Sequence, residues 1–170
     1  MVELLDIYDK NRNKTGRVVK REAGTILSDE EYFLYAQCWI INLKGEILLT
    51  QRRVDKKDGG NWEPTGGCVV TGENTTQGII RELEEEIGIF INKEELQLVK
   101  TIIDLKQNRN CFRDIYVLKK DIKLTELKFN DNAVVNAKYV TIEEFKAMIK
   151  NGEAISWLSF FGELYVEMNF

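Results

Sequence analysis

Short apolar runs separated by turn-forming residues dominate the first third of this chain. The segment Leu4–Arg21 reads as two strands joined by a polar turn from Asn11 to Gly16. Two further apolar runs, residues 35–43 and 47–53, flank a Lys-Gly-Glu turn that is typical of a β-hairpin. We therefore predict that two antiparallel hairpins open the fold.

The most regular helical pattern lies in the middle of the chain. The run Asn74–Thr76 supplies a helix start and Gly88 a stop, so we predict a helix from Thr75 to Ile87. Its apolar face is expected to dock on a sheet and consists of Thr76, Ile80, Leu83 and Ile87. The acidic residues of this helix are expected on the opposite face, toward a cleft.

The remaining apolar runs complete the predicted secondary structure. Further strands are expected at residues 96–105, 111–118 and 134–140. Capping-box patterns open helices at Ser28 and Thr141, and the aromatic segment 157–170 is expected to be helical. The segment 62–67 holds the only proline and predicts a turn into a functional loop. Strands outnumber helices and interleave with them irregularly, which indicates an α+β fold with a mixed β-sheet.

The length and composition indicate one globular domain. With 170 residues, the chain is long enough for one ordinary core and short for two. Its 44% hydrophobic and 31% charged residues are typical of a folded protein rather than a disordered tail. We predict a single domain over residues 1–170, in which residues 1–30 form an amino-terminal hairpin or extension.

The charge balance argues against nucleic acid as a partner. The chain carries 24 Lys and Arg against 28 Asp and Glu, a formal net charge of -4. No apolar run approaches the length of a membrane span, and the first residues include acids instead of a basic region followed by an apolar one. We expect a cytoplasmic protein that binds neither nucleic acid nor membranes.

The chain contains three cysteines and no histidine. The cysteines, Cys38, Cys68 and Cys111, are widely spaced, so we expect buried free thiols rather than a disulfide framework or a zinc site. The absence of histidine excludes His-dependent zinc sites and Ser-His or Cys-His nucleophile pairs. Carboxylates, Lys, Tyr, Cys or a hard metal ion must carry any chemistry.

Three acidic residues of the predicted helix form the strongest candidate site. Glu82, Glu85 and Glu86 stand at i, i+3 and i+4, a spacing that places them on one helical face. Each adjacent like-charge pair costs about 0.2–0.5 kcal/mol on an isolated helix, and only Arg81 stands nearby to offset it. A solvated acidic face is the alternative, but such faces usually interleave Lys. Oxygen ligands without histidine select Mg²⁺ or Mn²⁺, so we predict a divalent metal site.

Glycines, glutamates and one arginine stand at fixed intervals across a predicted loop and helix, at Gly67, Glu73, Arg81, Glu82, Leu83, Glu85, Glu86, Gly88 and Ile89. This pattern resembles the Nudix box. The amino-terminal half is similar to the Nudix branch related to isopentenyl-diphosphate isomerase. The resemblance implies a Nudix-type α/β/α sandwich with a mixed sheet.

The resemblance also implies a set of metal ligands. Glu82, Glu85 and Glu86 are then the side-chain ligands of Mg²⁺ or Mn²⁺, and the backbone carbonyl of Gly66 completes the set. Among them, Glu82 and Glu86 are the candidate catalytic carboxylates.

Two further assignments follow from the same resemblance. Glu73 is expected to pair with Arg81 and brace the loop against the helix, without taking part in the reaction. The general base stays open between a box glutamate, with Glu82 the best candidate, and Asp131. Many relatives carry an acid in a later loop, and this chain has Ala133 there instead.

Two consecutive arginines end the second predicted hairpin. Arg52 and Arg53 are candidates for binding a diphosphate, because planar guanidinium groups suit phosphate oxygens. A solvated strand end explains them equally well.

The function implied is Mg²⁺-dependent hydrolysis of a diphosphate bond in a nucleoside diphosphate linked to another moiety. One alternative is a Nudix module that binds a nucleotide without turnover, and another is a dimerisation or regulatory piece, so a homodimer is among the expected assemblies. An isomerase is disfavoured, because that branch needs histidine ligands and a cysteine before the box; Gly66 occupies that position and Cys68 follows two residues later. The diphosphate substrate is not determined by the sequence.

Overall fold

The computed structural model describes residues 2–22, 25–56, 58–106, 109–130 and 133–168. The chain packs as two compact units, each assembled from three separated stretches. The first unit consists of Met1–Cys38, Gly66–Glu82 and Ile91–Val117. The second consists of Trp39–Thr65, Leu83–Phe90 and Leu118–Phe170. The single domain over residues 1–170, with 1–30 as an extension, stays a prediction.

Within the described ranges, strands and helices alternate irregularly along the chain. The strands are β1 (Leu4–Tyr8), β2 (Lys14–Lys20), β3 (Tyr32–Ile41), β4 (Ile47–Arg52), β5 (Trp62–Glu63), β6 (Gly66–Cys68), β7 (Leu96–Asp104), β8 (Asn110–Lys119) and β9 (Val134–Val140). The α-helices are α1 (Thr75–Ile87), α2 (Ile142–Lys150) and α3 (Phe160–Glu167). Short 3₁₀ turns occupy Lys93–Glu95, Leu124–Glu126 and Ser156–Ser159.

The predicted amino-terminal hairpin forms, but β2 begins at Lys14, inside the turn that was predicted from Asn11 to Gly16. Strands β1 and β2 pair antiparallel, with Leu5 opposite Val19. Asp9 closes the turn, since its side chain accepts the backbone N–H of Asn13 at 2.8 Å. Arg12 sits in this turn with φ of 65°, a left-handed conformation that is uncommon for a residue other than glycine.

The second predicted hairpin is also confirmed. Strands β3 and β4 pair antiparallel, with Ile40 opposite Leu48. The turn between them places Gly45 at φ of 79°, where glycine carries no steric cost. Strand β4 also pairs along its length with β9, with Leu49 opposite Lys138.

One prediction for the connecting segments was wrong, and another was incomplete. The segment that begins at Ser28 forms a turn and no helix. Glu31 accepts the Ser28 N–H and contacts Arg17, but strand β3 begins at the next residue, Tyr32, so no helical run follows the cap. The segment 62–67 is not only a turn, since it contributes β5 to β4 and β6 to β3. Strands of two or three residues are too short to show an alternating pattern in the sequence.

Helix α1 has the predicted bounds. Asn74 and Gln77 form a reciprocal capping box, in which each side chain accepts the other residue's backbone N–H at 2.9 Å. At the other end Gly88 has φ of 71°, and its N–H bonds the Glu84 carbonyl at 3.0 Å. Both ends of the helix are therefore capped by residues that lie next to it in the sequence.

The buried face of α1 differs from the prediction. Ile79, Leu83 and Ile87 are fully buried, whereas Ile80 and Thr76 are only partly buried. At about 100° per residue, residues 79, 83 and 87 lie on one narrow strip of the helix surface, and residue 80 lies just beyond the edge of that strip.

Each unit has its own core. In the first, the buried cluster consists of Leu5, Ile7, Leu27, Phe33, Cys68 and Cys111. In the second, the Trp39 ring stacks on Phe161 at 3.5 Å between centroids and meets the edge of Phe145 at 5.3 Å. All three cysteines are buried and free, as expected.

The carboxy-terminal helices follow the predictions in part. Thr141 starts α2 through a capping box with Glu144, as the sequence indicated. The aromatic segment begins as a 3₁₀ turn and becomes helical at Phe160. Among the residues described, no helix has both the length and the apolar character needed to cross a membrane.

We expect Gly88→Ala to destabilise the protein more than Gly152→Ala. Both glycines have positive φ, 71° and 75°, so each alanine carries a conformational cost of about 1–2 kcal/mol. At Gly88 the new Cβ would also lie 2.8 Å from Lys128 Cβ, whereas Gly152 has open space. Overpacking adds about 1–3 kcal/mol, measurable by urea unfolding. Equal losses of unfolding free energy in the two variants would show that the residues around Gly88 accommodate the methyl group without strain.

Candidate active site

A glycine makes room for a carboxylate between β6 and α1. Gly67 lies opposite Ala36 in the β3–β6 pair. A Cβ on Gly67 would lie 2.2 Å from both Cδ and Oε1 of Glu82. The Glu82 carboxylate therefore occupies the space that any side chain at position 67 would need. Its side chain is buried, with a residue exposure of 7%.

Gly66 holds strand β6 close to β3 for a different reason. A Cβ at this position would lie 2.6 Å from the Ala36 carbonyl oxygen. The Gly66 carbonyl, expected as a metal ligand, accepts the Tyr35 hydroxyl at 2.9 Å. A carbonyl oxygen has two lone pairs, so this bond leaves one acceptor position.

Arg81 connects the loop, the strand and the helix. Its Nε donates to Glu73 at 3.0 Å, and its Nη2 donates to the Cys68 carbonyl at 3.0 Å. Its Nη1 donates to Glu82 Oε1 at 2.8 Å. One guanidinium thus holds the Glu73 side chain, the end of β6 and a candidate catalytic carboxylate in one arrangement.

The electrostatics keep this arginine charged. Burial by itself would lower the pKa of Arg81, but the bonds and charges of Glu73 and Glu82 outweigh it and raise that pKa above its usual value. The positive charge in turn stabilises the ionised carboxylate of Glu82. The Cys68 thiol beside it is neutral, because burial raises its pKa.

The three glutamates of α1 are not equivalent. Glu82 and Glu86 are buried, 7% and 6% exposed, whereas Glu85 is exposed. The expectation that all three lie opposite the apolar face was therefore wrong. Positions 79, 82, 83 and 86 fall within one arc of the helix, so two carboxylates share the docked side with the apolar residues.

Two buried carboxylates one turn apart suit a divalent cation. Removing charged oxygens from water is costly unless positive charge and hydrogen bonds compensate for it. Mg²⁺ in enzymes is commonly held by one or two carboxylates together with water and substrate phosphates, so a pair is sufficient. Within the part of the chain that is described, no three His, Cys, Asp or Glu residues cluster closely enough to hold a metal ion by themselves.

The two candidate substrate-binding arginines each contact a carboxylate. Arg52 Nη1 donates to Glu63 Oε1 at 2.5 Å, in a partly buried pair. Arg53 binds Asp55 through two bonds of 2.7 and 2.9 Å, in an exposed pair. The alternative general base, Asp131, lies outside the described residues.

Sequence reasoning did not single out Tyr35 and Asp114, which contact elements that carry the site. Tyr35 binds the Gly66 carbonyl, and nothing in an alternating strand distinguishes it from an ordinary core tyrosine. Asp114 is 2% exposed within β8, and its neighbour Arg113 is 5% exposed. The two adjacent charges of Arg113 and Asp114 interrupt the apolar run of β8. They were a usable signal of buried ion pairs, because buried ions require partners.

Comparison with known proteins assigns this chain to a family. The family model described as NUDIX domain matches residues 32–158. An uncharacterized Nudix hydrolase of Listeria monocytogenes is 31% identical over 166 residues, covering 96% of this chain and 94% of the relative. The chain therefore belongs to the Nudix family and is a pyrophosphohydrolase. Members typically cleave pyrophosphate bonds in nucleoside diphosphate derivatives, and they generally use divalent metals.

A solved structure supports the fold. The crystal structure of DR0079 from Deinococcus radiodurans has a TM-score of 0.78 and 20% sequence identity to this chain, and covers 99% of it and 100% of its own length. At that identity the likeness concerns the fold alone, and it confirms the predicted α+β class.

The predicted similarity to the isomerase branch is confirmed as well. Isopentenyl-diphosphate Delta-isomerase 1 of Photorhabdus laumondii is 26% identical over 163 residues, which covers 89% of this chain and 87% of the relative. The present chain contains no histidine.

We expect Gly67→Ala to reduce hydrolysis while leaving the fold intact. The new methyl group would displace the Glu82 carboxylate, which is the flexible end of its side chain, so the cost in stability is small. A loss of about 10-fold or more in kcat/KM, equal to about 1.4 kcal/mol, is expected with little change in Tm.

A double-mutant cycle identifies the cause of that loss. In a Glu82→Gln background, Gly67→Ala should add almost nothing to the loss in kcat/KM, because the group it displaces is already inactive. Additive losses would mean that Gly67 matters through something other than Glu82.

Proposed function

We propose that this protein hydrolyses the diphosphate bond of a nucleoside diphosphate linked to another moiety, with Mg²⁺ or Mn²⁺ as cofactor. The observation that carries the proposal is the buried pair of Glu82 and Glu86 on one face of α1, with Glu82 filling the niche of Gly67. Two carboxylates on one helical face can hold a divalent cation together, and a small anionic substrate supplies the remaining oxygen ligands.

Each carboxylate has a proposed role. Glu82 and Glu86 hold the metal, and the exposed Glu85, which does not cluster with them in this structure, turns toward the bound cation as the third ligand. The Gly66 carbonyl uses its second lone pair as a backbone ligand. When bound, the cation polarises the phosphoryl oxygens and favours a nucleophilic form of water.

The chain's own groups orient the reaction. Glu82 is the candidate general base within the box, because Arg81 holds its carboxylate at a defined position. Asp131 is the other candidate. Glu73 does not react; it binds Arg81 and keeps the guanidinium in line with Glu82.

Arg52 and Arg53 remain the proposed substrate-binding arginines, Arg53 by direct contact and Arg52 by supporting it. Exposed ion pairs contribute little, so a phosphate group exchanges readily for Asp55 at Arg53. The Arg52–Glu63 pair is less exposed and would act by orienting the neighbouring Arg53 segment.

We expect Glu86→Gln and Glu82→Gln to lower kcat by at least about 100-fold, equal to about 2.7 kcal/mol. Each change removes the negative charge but keeps the shape of the side chain. The assay measures phosphorylated products from a panel of diphosphate compounds, with Mg²⁺ titrated from zero.

Glu84→Gln is the matched control for these variants. Glu84 lies on the same helix, is exposed and is not among the proposed ligands. It should retain nearly full activity, and wild type without divalent cation should be inactive. Full activity in Glu86→Gln would remove that carboxylate from the proposed ligand set.

The same samples distinguish the alternatives. An isomerase would interconvert the two isopentenyl-diphosphate isomers without releasing phosphate, a possibility raised by the isomerase relative. A binding module would retain a diphosphate compound, measured by calorimetry, and release no product. Either result with wild type would overturn hydrolysis as the function.

A further inference from the structure

The turn of the amino-terminal hairpin contacts strand β8, which in turn contacts the start of helix α1. Arg12, in the β1–β2 turn, donates through Nη1 and Nη2 to the two carboxylate oxygens of Asp114 at 3.0 and 2.5 Å. This hairpin precedes residue 32, where the match to the family model begins. The contact is therefore made by a part of the chain that the family pattern does not include.

Asp114 is the centre of this contact. Its side chain is 2% exposed, and besides Arg12 it accepts the hydroxyls of Thr75 at 2.6 Å and Thr101 at 2.7 Å. Burial by itself would raise the pKa of Asp114, but the bonds from Arg12, Thr75 and Thr101 outweigh it and lower that pKa. A charged, fully bonded carboxylate of this kind is rigid.

The network ends at the first residues of α1. Tyr116 Oη lies 2.8 Å from Thr75 Oγ1 and 3.0 Å from Thr76 Oγ1. Each hydroxyl carries one hydrogen, so the bonds run in one direction, from Thr76 through Tyr116 and Thr75 to Asp114. Both opening residues of the helix are thereby tied to β8.

This attachment can determine where the helix places its carboxylates. Glu82 lies about two turns beyond Thr75 on the same helix, so a tilt or slide at the start moves the acidic residues with it. A misplacement of about 1 Å at a reacting group costs on the order of 100-fold in rate. The helix ends alone do not prevent such a motion, because caps hold local backbone groups only.

We propose that Arg12 and Asp114 are positioning residues, through which the amino-terminal hairpin sets the placement of α1 and thereby of Glu82 and Glu86. The inference rests on the proposed role of these glutamates as metal ligands. It assigns a function to the residues 1–30 segment that the Nudix box does not explain. It also predicts that disturbing the hairpin turn weakens metal binding at a distance.

The first test compares two arginines of the same hairpin in the 170-residue chain. Arg12→Ala removes the cation from Asp114, whereas Arg17→Ala removes an exposed partner of Glu31. We expect Arg12→Ala to raise the Mn²⁺ dissociation constant, measured by calorimetry without substrate, by about 10-fold. KM at saturating metal should change by less than about 2-fold, and Arg17→Ala should match wild type throughout.

The second test uses the hydroxyl that joins Asp114 to the helix. Thr75→Val keeps the shape of the side chain and removes the donor, whereas Thr75→Ser retains it. We expect weaker Mn²⁺ binding and lower kcat for Thr75→Val, again by about 10-fold, and recovery toward wild type for Thr75→Ser. Thermal unfolding of each variant records whether it is folded at the assay temperature, and this pair decides the question if Arg12→Ala is unfolded.

The outcomes separate this inference from the proposed function. Unchanged Mn²⁺ affinity and kcat in folded Thr75→Val would mean that the network only stabilises the fold, and the inference would fail. Equal losses in Thr75→Val and Thr75→Ser would also overturn it, because the hydroxyl would then be irrelevant. If wild type binds Mn²⁺ but hydrolyses nothing, the proposed reaction fails, while the Mn²⁺ affinities still test the positioning.

Discussion

The arrangement of the site depends on the single guanidinium group of Arg81. It binds Glu73, the Cys68 carbonyl and Glu82 at 2.8 to 3.0 Å, and so joins a loop, a strand and a helix. A planar, permanently charged group with several donors in fixed directions can do this, whereas a lysine ammonium would leave the directions undefined. The positive charge also permits the burial of a carboxylate that would otherwise be too costly.

Close backbone approach is the second constraint, and it explains the paired glycines. Gly66 faces the Ala36 carbonyl, and Gly67 faces the Glu82 carboxylate, so a Cβ at either position would overlap with an atom already there. The two residues therefore have different roles. Gly66 permits the pairing of β6 with β3, and Gly67 leaves space for the functional group itself.

The sequence predicted local structure well where the signal is local. The bounds of α1 follow from the Asn74 cap and the left-handed Gly88, both of which act within one turn of the helix ends. The prediction was wrong for the segment at Ser28, because one possible cap without a periodic run after it does not specify a helix. It was also wrong about the buried face of α1. The face that is buried is displaced by one residue from the predicted face, so Ile79 is fully buried in place of Ile80.

The sequence by itself determined the spacing of the glutamates, the glycines and Arg81, and with it the family and the class of reaction. Spacing is a property of the chain, and a helix converts it directly into a shared face. Only the tertiary structure decided that Glu82 and Glu86 are buried while Glu85 is exposed. It alone brought Arg12 to Asp114, because contacts between residues far apart in sequence depend on how strands pair and pack, which local pattern does not encode.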